Sequence, residues 1–154
     1  MDVRPATTED IEDVARVLGI LRMKDIPVHE IETLFAQTVA SPYADILLGI
    51  DNGRVVGIAI LNCVLKLNRI ECRADDMVVA PEARGSGIGT KMFEACDKWA
   101  WEKGCYKIEF TSRASRERAQ SFYKKLGYEI RDSNIYVKFS PTVSYTKTNY
   151  KESS

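Results

Sequence analysis

Three glycines alternate at Gly85, Gly87 and Gly89, between an apolar run that stops at Pro81 and a helical pattern that opens at once. Apolar residues recur at Ile88, Met92, Ala95, Cys96 and Trp99, the spacing of one helix face. A strand, a glycine turn and a helix start together make an anion site. Glycine lets backbone N–H groups approach a ligand closely. The first N–H groups of a helix have no partner within it, and the helix dipole favours negative charge there. A phosphate or pyrophosphate is the guest such a site suits.

The register of the loop separates three kinds of phosphate binder. A Walker A loop needs Gly, four residues, then Gly-Lys-Ser/Thr, and here Thr90 stands between Gly89 and Lys91. The dinucleotide fingerprint G-x-G-x-x-G is met at Gly85 and Gly87 but not at Thr90, and this loop lies past mid-chain rather than after a first strand. The third pattern, Arg/Gln-x-x-Gly-x-Gly/Ala, is met by Arg84, Gly87 and Gly89.

Two further segments belong with that third pattern. Val79-Ala80-Pro81-Glu82-Ala83-Arg84 forms a strand-to-loop passage, and Ala119-Gln120-Ser121-Phe122-Tyr123-Lys124-Lys125-Leu126-Gly127-Tyr128 has the form A-x-x-F-Y-x-x-x-G-F/Y. On these residues the chain resembles the GNAT superfamily of acyl-CoA-dependent N-acyltransferases. The likeness follows the element order over residues 1–139 and is motif-specific over 75–130.

The resemblance implies a cofactor and its contacts. The amides of Arg84, Gly85, Ser86, Gly87, Ile88, Gly89 and Thr90 would hold the pyrophosphate of acetyl-CoA. Met77, Val78 and Val79 would pair with the pantetheine arm where the strands bearing Val79 and Ile108 part. The same three residues also fit a plain core strand. Tyr123 would lie near the thioester sulfur, although Ala119, Phe122, Tyr123 and Leu126 recur at helical spacing and equally describe a core ring. Family members often carry Asn where Arg116 stands. Arg116 would reach the pyrophosphate or an acidic substrate, or belong with Arg113 and Arg118 to a solvated basic surface.

Acyl transfer to an amine makes three chemical demands. The amine must lose a proton, because an alkylammonium has a pKa of about 10. The thioester oxygen needs a hydrogen-bond donor while it carries negative charge, which points to a backbone N–H near Val78 or Val79. The departing sulfur gains from an acid, the role open to Tyr123. Asp75 and Asp76 enter the same strand, where alternation would put one carboxylate on each face. Ala74–Val79 is similar to the acidic pair before this strand in glucosamine-phosphate N-acetyltransferases, which also carry a segment like Gly104-Cys105-Tyr106-Lys107-Ile108. That likeness implies that Asp75 and Asp76 line the acceptor site and orient the amine. Glu71 is a third carboxylate, and a solvated strand end is the plain alternative.

The elements that position these residues follow from pattern. Val3–Ala6 reads as a strand, then a helix with Ile11, Val14, Ala15 and Leu18 on one face. A second helix from Pro27 to about Ala40 turns Ile31, Leu34 and Phe35 inward. Asp45–Ile50 and Arg54–Leu67 form a hairpin through Asn52-Gly53, and Ile70–Val79 follows. The glycine loop opens a helix to about Lys103. Lys107–Thr111 is a strand, Ser115–Leu126 a helix, and Tyr128–Arg131 with Ile135–Phe139 a last strand pair. The expectation is an α/β fold, a mixed and mostly antiparallel sheet flanked by about four helices; the resemblance to the GNAT superfamily adds a splayed parallel strand pair.

Composition narrows the class. At 154 residues the chain is most simply one domain, with 140–154 as a tail that is loose or packed on a partner subunit. The 22 basic and 22 acidic residues balance, so no basic excess argues for nucleic acid. No apolar run is long enough to span a membrane, and the N-terminus lacks a signal pattern, so a cytoplasmic protein is expected. Cys63, Cys72, Cys96 and Cys105 show no metal-ligand spacing and read as reduced core thiols. The expected activity is N-acetyl transfer from acetyl-CoA to a primary amine of a small molecule or peptide, without a metal; the oligomeric state is left open by the sequence, and the family resemblance allows a homodimer. The alternatives are a non-catalytic acyl-CoA sensor or assembly module, and a nucleotide binder.

Overall fold

The computed structural model describes residues 1–112 and 117–145. The chain divides into two compact units, Met1–Thr111 and Ser112–Ser154. The first carries a sheet of five strands in chain order: β1 (Asp2–Pro5), β2 (Ala44–Asp51), β3 (Arg54–Lys66), β4 (Arg69–Val79) and β5 (Ile108–Glu109). Neighbours are antiparallel except β4 and β5, which are parallel. Helices α1 (Ile11–Arg22), α2 (Val28–Ala40) and α3 (Ile88–Glu102) complete the unit.

The sheet buries both faces. Val14, Val17 and Phe35 of α1 and α2 pack on Ile46, Leu48, Val55, Ile58 and Val78. On the other side Ile88, Met92, Cys96 and Trp99 of α3 pack on Leu47, Val56, Ala59, Leu61, Cys72 and Ala74. Alternation along β2 and β3 sends neighbouring residues to opposite layers, which is why Ile46–Ile50 and Val55–Leu61 are continuous apolar runs. α3 lies close to the sheet because Gly49 and Gly57 stand opposite each other beneath it. A Cβ on either would come within 2.7 or 2.5 Å of Met92 Sδ.

α2 corrects one expectation. Phe35 is buried, but Leu34 is 70% exposed. The stripe that meets the sheet is the i, i+4 row Ile31, Phe35 and Val39, and Leu34 lies about 100° around the helix from Phe35.

The second unit holds α4 (Glu117–Lys125), closed by Gly127 N–H donating to Lys124 C=O at 3.0 Å. The expected strand pair at 128–131 and 135–139 does not form, and no described residue after Lys125 lies in a strand. Ile130, Ile135, Tyr136, Val137 and Phe139 are exposed. Their alternation is a strand pattern, but an isolated two-stranded ribbon is marginal without a third strand or a surface to cover its apolar face.

Candidate active site

The parallel pair is brief. β4 and β5 match only at Cys72 with Ile108 and Arg73 with Glu109. Among the described residues no strand pairs with that edge of β4 along Ala74–Val79, which we call its open edge. Phe110, just past β5, stacks against Phe93 of α3 with ring centroids 5.6 Å apart.

A β-bulge decides which amides face the open edge. Ile58 pairs with Val78 but Ile60 with Asp75, so Asp76 and Met77 together oppose Ala59. Below the bulge, Cys72 N–H donates to Lys107 C=O on the β5 side; above it, Ala80 N–H donates to Val56 C=O of β3. An unbroken strand would point residues 72 and 80 the same way. With the bulge, Val78 turns its N–H to β3, and Met77 and Val79 turn theirs to the open edge. Arg84 Nε donates to Val79 C=O at 3.2 Å on that edge.

The glycine loop follows directly. A 3-10 turn, Pro81–Ala83, leads from β4 into it. Gly85 and Gly87 sit at φ 80° and 93°, angles that an L side chain resists. A Cβ on Gly85 would meet nothing within 4 Å, and one on Gly87 only Met1 Cε at 3.9 Å. The glycines are thus required by backbone angle rather than crowding. Ser86 Oγ donates to Ala83 C=O at 2.6 Å and accepts a long bond of 3.4 Å from Ile88 N–H. Lys91 N–H bonds Gly87 C=O at 3.2 Å, which leaves Gly89 and Thr90 N–H ahead of the first i→i−4 bond of α3. These residues fit a diphosphate at a helix start.

The bulge also regroups the carboxylates. Asp75 stands opposite Ile60, which packs in the α1/α2 layer, and it pairs with Arg73 Nε at 3.2 Å. Asp76 meets Arg22 Nη2 at the end of α1, at 2.7 Å. Both therefore lie on the α1 side, not one on each face as regular alternation would give. Glu71 is buried and takes Arg69 Nε at 2.9 Å, with Lys107 Nζ at 3.8 Å. Burial pushes its carboxyl upward, but the Arg69 hydrogen bond and the charges of Lys107, Arg69 and Lys66 outweigh it and hold it below the usual range. A carboxylate so engaged is poorly suited to take a proton. A surface groove runs along α1, lined by Glu12, Arg16, Met23, Lys24 and Asp25, and none of the loop residues 84–90 lines it.

Tyr123 belongs to the second unit, half-buried on α4, with its ring 5.9 Å from that of Phe122. Arg113 and Arg116 lie outside the described residues. The cysteines are free thiols, and Cys63 Sγ lies 3.8 Å from Cys105 Sγ. Burial pushes Cys72 and Cys96 up to about 12 and Cys105 up to about 11. Thiolate is the nucleophilic form, so these groups are poor acyl acceptors at neutral pH. Among the described residues no group of three or more His, Cys, Asp or Glu side chains could hold a metal, and no helix is long and apolar enough to cross a membrane.

Sequence reasoning did not single out Arg22 or the bulge. Nothing local marks either, because the contact joins residues 54 apart.

The family profile described as an acetyltransferase (GNAT) domain matches residues 42–130, which span β2 to the end of α4. The chain belongs to the GNAT acetyltransferase family. It is an N-acetyltransferase; GNAT enzymes carry an acetyl group from acetyl-CoA to an amine. The chain is 27% identical over 130 residues to an aminoalkylphosphonate N-acetyltransferase of Salmonella typhimurium, covering 83% of this chain and 84% of that protein. It is 34% identical over 86 residues to a glucosamine 6-phosphate N-acetyltransferase of Trypanosoma brucei brucei, covering 54% and 56%. The structure of glucosamine-6-phosphate N-acetyltransferase from Arabidopsis thaliana superposes with a TM-score of 0.76 at 19% identity, covering 90% of this chain and 98% of that one. That last likeness speaks to the GNAT fold. The matched profile and the named relatives are catalysts, which favours the enzyme over the binding-only alternative.

Proposed function

We propose that this GNAT enzyme binds acetyl-CoA along Met77–Val79 and Arg84–Thr90 and passes the acetyl group directly to a small primary amine. One observation carries the reading: a positive-φ glycine loop opens α3 immediately after a bulged strand whose Val79 N–H faces an unpaired edge. Gly85–Thr90 amides hold the diphosphate at the start of α3. The bound cofactor supplies an acyl group activated as a thioester. Val79 N–H donates to the acyl oxygen as negative charge builds there, aligned in advance by the sheet. Tyr123 gives its phenolic proton to the leaving sulfur. Asp75 and Asp76 line the acceptor side and orient the amine, whose proton leaves through a carboxylate or water.

The acceptor reading is a small amine, with amines that carry a phosphorus oxyanion first to be tried. Two relatives are named for such substrates, an aminoalkylphosphonate and glucosamine 6-phosphate. The same proposal places the enzyme in the cytoplasm, where buried thiols stay reduced, as a homodimer. The test is an amine panel followed by release of free coenzyme A thiol. The panel includes aminoalkylphosphonates, glucosamine 6-phosphate, polyamines and peptide amines. Acceleration of thiol release by one amine class supports the assignment. Tight coenzyme A binding without acceleration by any amine refutes the transfer role.

A further inference from the structure

Asp76 is the non-glycine residue of the bulge that carries the unusual backbone, at φ 48°. An L side chain in that region persists only when its surroundings over-determine it. The Asp76 side chain meets Arg22, whose Nη2 lies 2.7 Å from Asp76 Oδ1 with the two side chains 29% and 27% exposed.

The position of Arg22 is itself fixed. It is the last residue of α1, and the chain turns sharply after it, with Met23 at φ 57°. Lys24 N–H returns to Gly19 C=O at 3.2 Å. A Cβ on Gly19 would lie 2.7 Å from Lys24 C=O, so only glycine permits so tight a close. The guanidinium is thus presented to β4 from a fixed helix end.

The pair acts on register. Were Asp76 to relax to an extended angle, the strand would regain its alternation. Val78 would then present its N–H to the open edge, and Val79 would turn to β3. The ion pair thereby selects which amide faces the acyl-binding edge. A plain surface ion pair contributes little; this one is partly buried and coincides with the left-handed residue.

We propose that Arg22 is a positioning residue for acetyl transfer, holding the β4 bulge that aims Val79 N–H at the acyl oxygen. The inference rests on the reading of the β4 edge given under Proposed function.

The test compares R22M and R22K in the full chain, with active sites counted by calorimetric titration with coenzyme A. Turnover per titrated site is expected to fall about tenfold or more in R22M, the scale of a small misplacement of a catalytic donor. Coenzyme A affinity falls less than turnover does, because Gly85–Thr90 keep the diphosphate while the Met77–Val79 amides shift, and R22K recovers most of both losses because an ammonium can still meet Asp76. A second readout needs no turnover. In the cofactor-free protein, amide resonances of Asp76–Val79 shift in R22M while those of Gly85–Thr90 stay in place. Wild-type turnover per site in R22M, or a loss confined to the number of titratable sites, overturns the inference. So do unmoved Asp76–Val79 resonances. Should the wild-type enzyme acetylate no amine, the functional reading fails and the resonances alone decide the role of Arg22.

Discussion

Met92 Sδ occupies the space where a side chain on Gly57 would begin, 2.5 Å from the position of its Cβ. Met92 is fully buried on α3, and Val78 C=O of β4 lies 3.1 Å from the same point. The glycine therefore sets the distance between the sheet and the helix whose first turn is the proposed anion site. Gly57→Ala is expected to overpack this seat and cost about 1–3 kcal/mol, read by urea unfolding. It also weakens coenzyme A binding, because the helix start moves relative to β4. Unchanged stability in G57A would show that Met92 repacks freely and that the seat is not rigid.

Gly87 tests the loop itself. Its φ of 93° strains any L residue, and a carboxylate there adds negative charge that repels the anion the loop would hold. Gly87→Asp is expected to raise the Kd for coenzyme A more than about 100-fold, equal to roughly 2.7 kcal/mol, with the fold retained by circular dichroism. Calorimetry giving wild-type affinity would remove the diphosphate from this loop.

The part of the site that sequence revealed is the local part. The glycine spacing and the 3.6-residue period from Ile88 to Trp99 are properties of adjacent residues, and α3 forms as they specify. The bulge is different. Asp75-Asp76-Met77 reads as ordinary strand, yet Asp76 takes a left-handed angle and its side chain meets Arg22, far away in sequence. The regrouping of both carboxylates on the α1 side follows from that angle and was equally illegible. Leu34 fits a helical stripe as well as Phe35 does, and only the line along which α2 meets the sheet separates them. The alternation of Ile135–Phe139 carries no information about whether an edge is at hand to complete a ladder.

Tyr123 separates proton donation from packing. Its ring is half-buried beside Phe122, and phenylalanine keeps that ring while deleting the hydroxyl. Tyr123→Phe is expected to slow turnover roughly tenfold, at the low end for a proton donor because a thiol is already a fair leaving group. Acetyl-CoA affinity and melting temperature stay near wild type. Full turnover in Y123F would withdraw the acid role.

Asp10 anchors the α1 platform that carries Arg22. It is buried and accepts two bonds from Arg4, Nη1 to Oδ2 at 2.8 Å and Nη2 to Oδ1 at 2.9 Å. Thr7 N–H and Thr7 Oγ1 add bonds to Oδ2 at 2.7 and 3.1 Å. The Arg4 hydrogen bond, opposed by burial and helped by Thr7, holds this carboxyl far below the ordinary range. A carboxyl depressed in the folded state contributes stability that is fully present above its unfolded value of about 3.9 and is lost as the pH falls toward the folded value. Asp10→Asn is therefore expected to cost about 1–3 kcal/mol at pH 7. The difference from wild type narrows as the pH falls below about 4. Urea unfolding of both proteins between neutral and acid pH measures it. A difference that stays constant down to the acid transition would mean that Asp10 contributes through packing and neutral hydrogen bonds, and that its charge does not hold the start of α1.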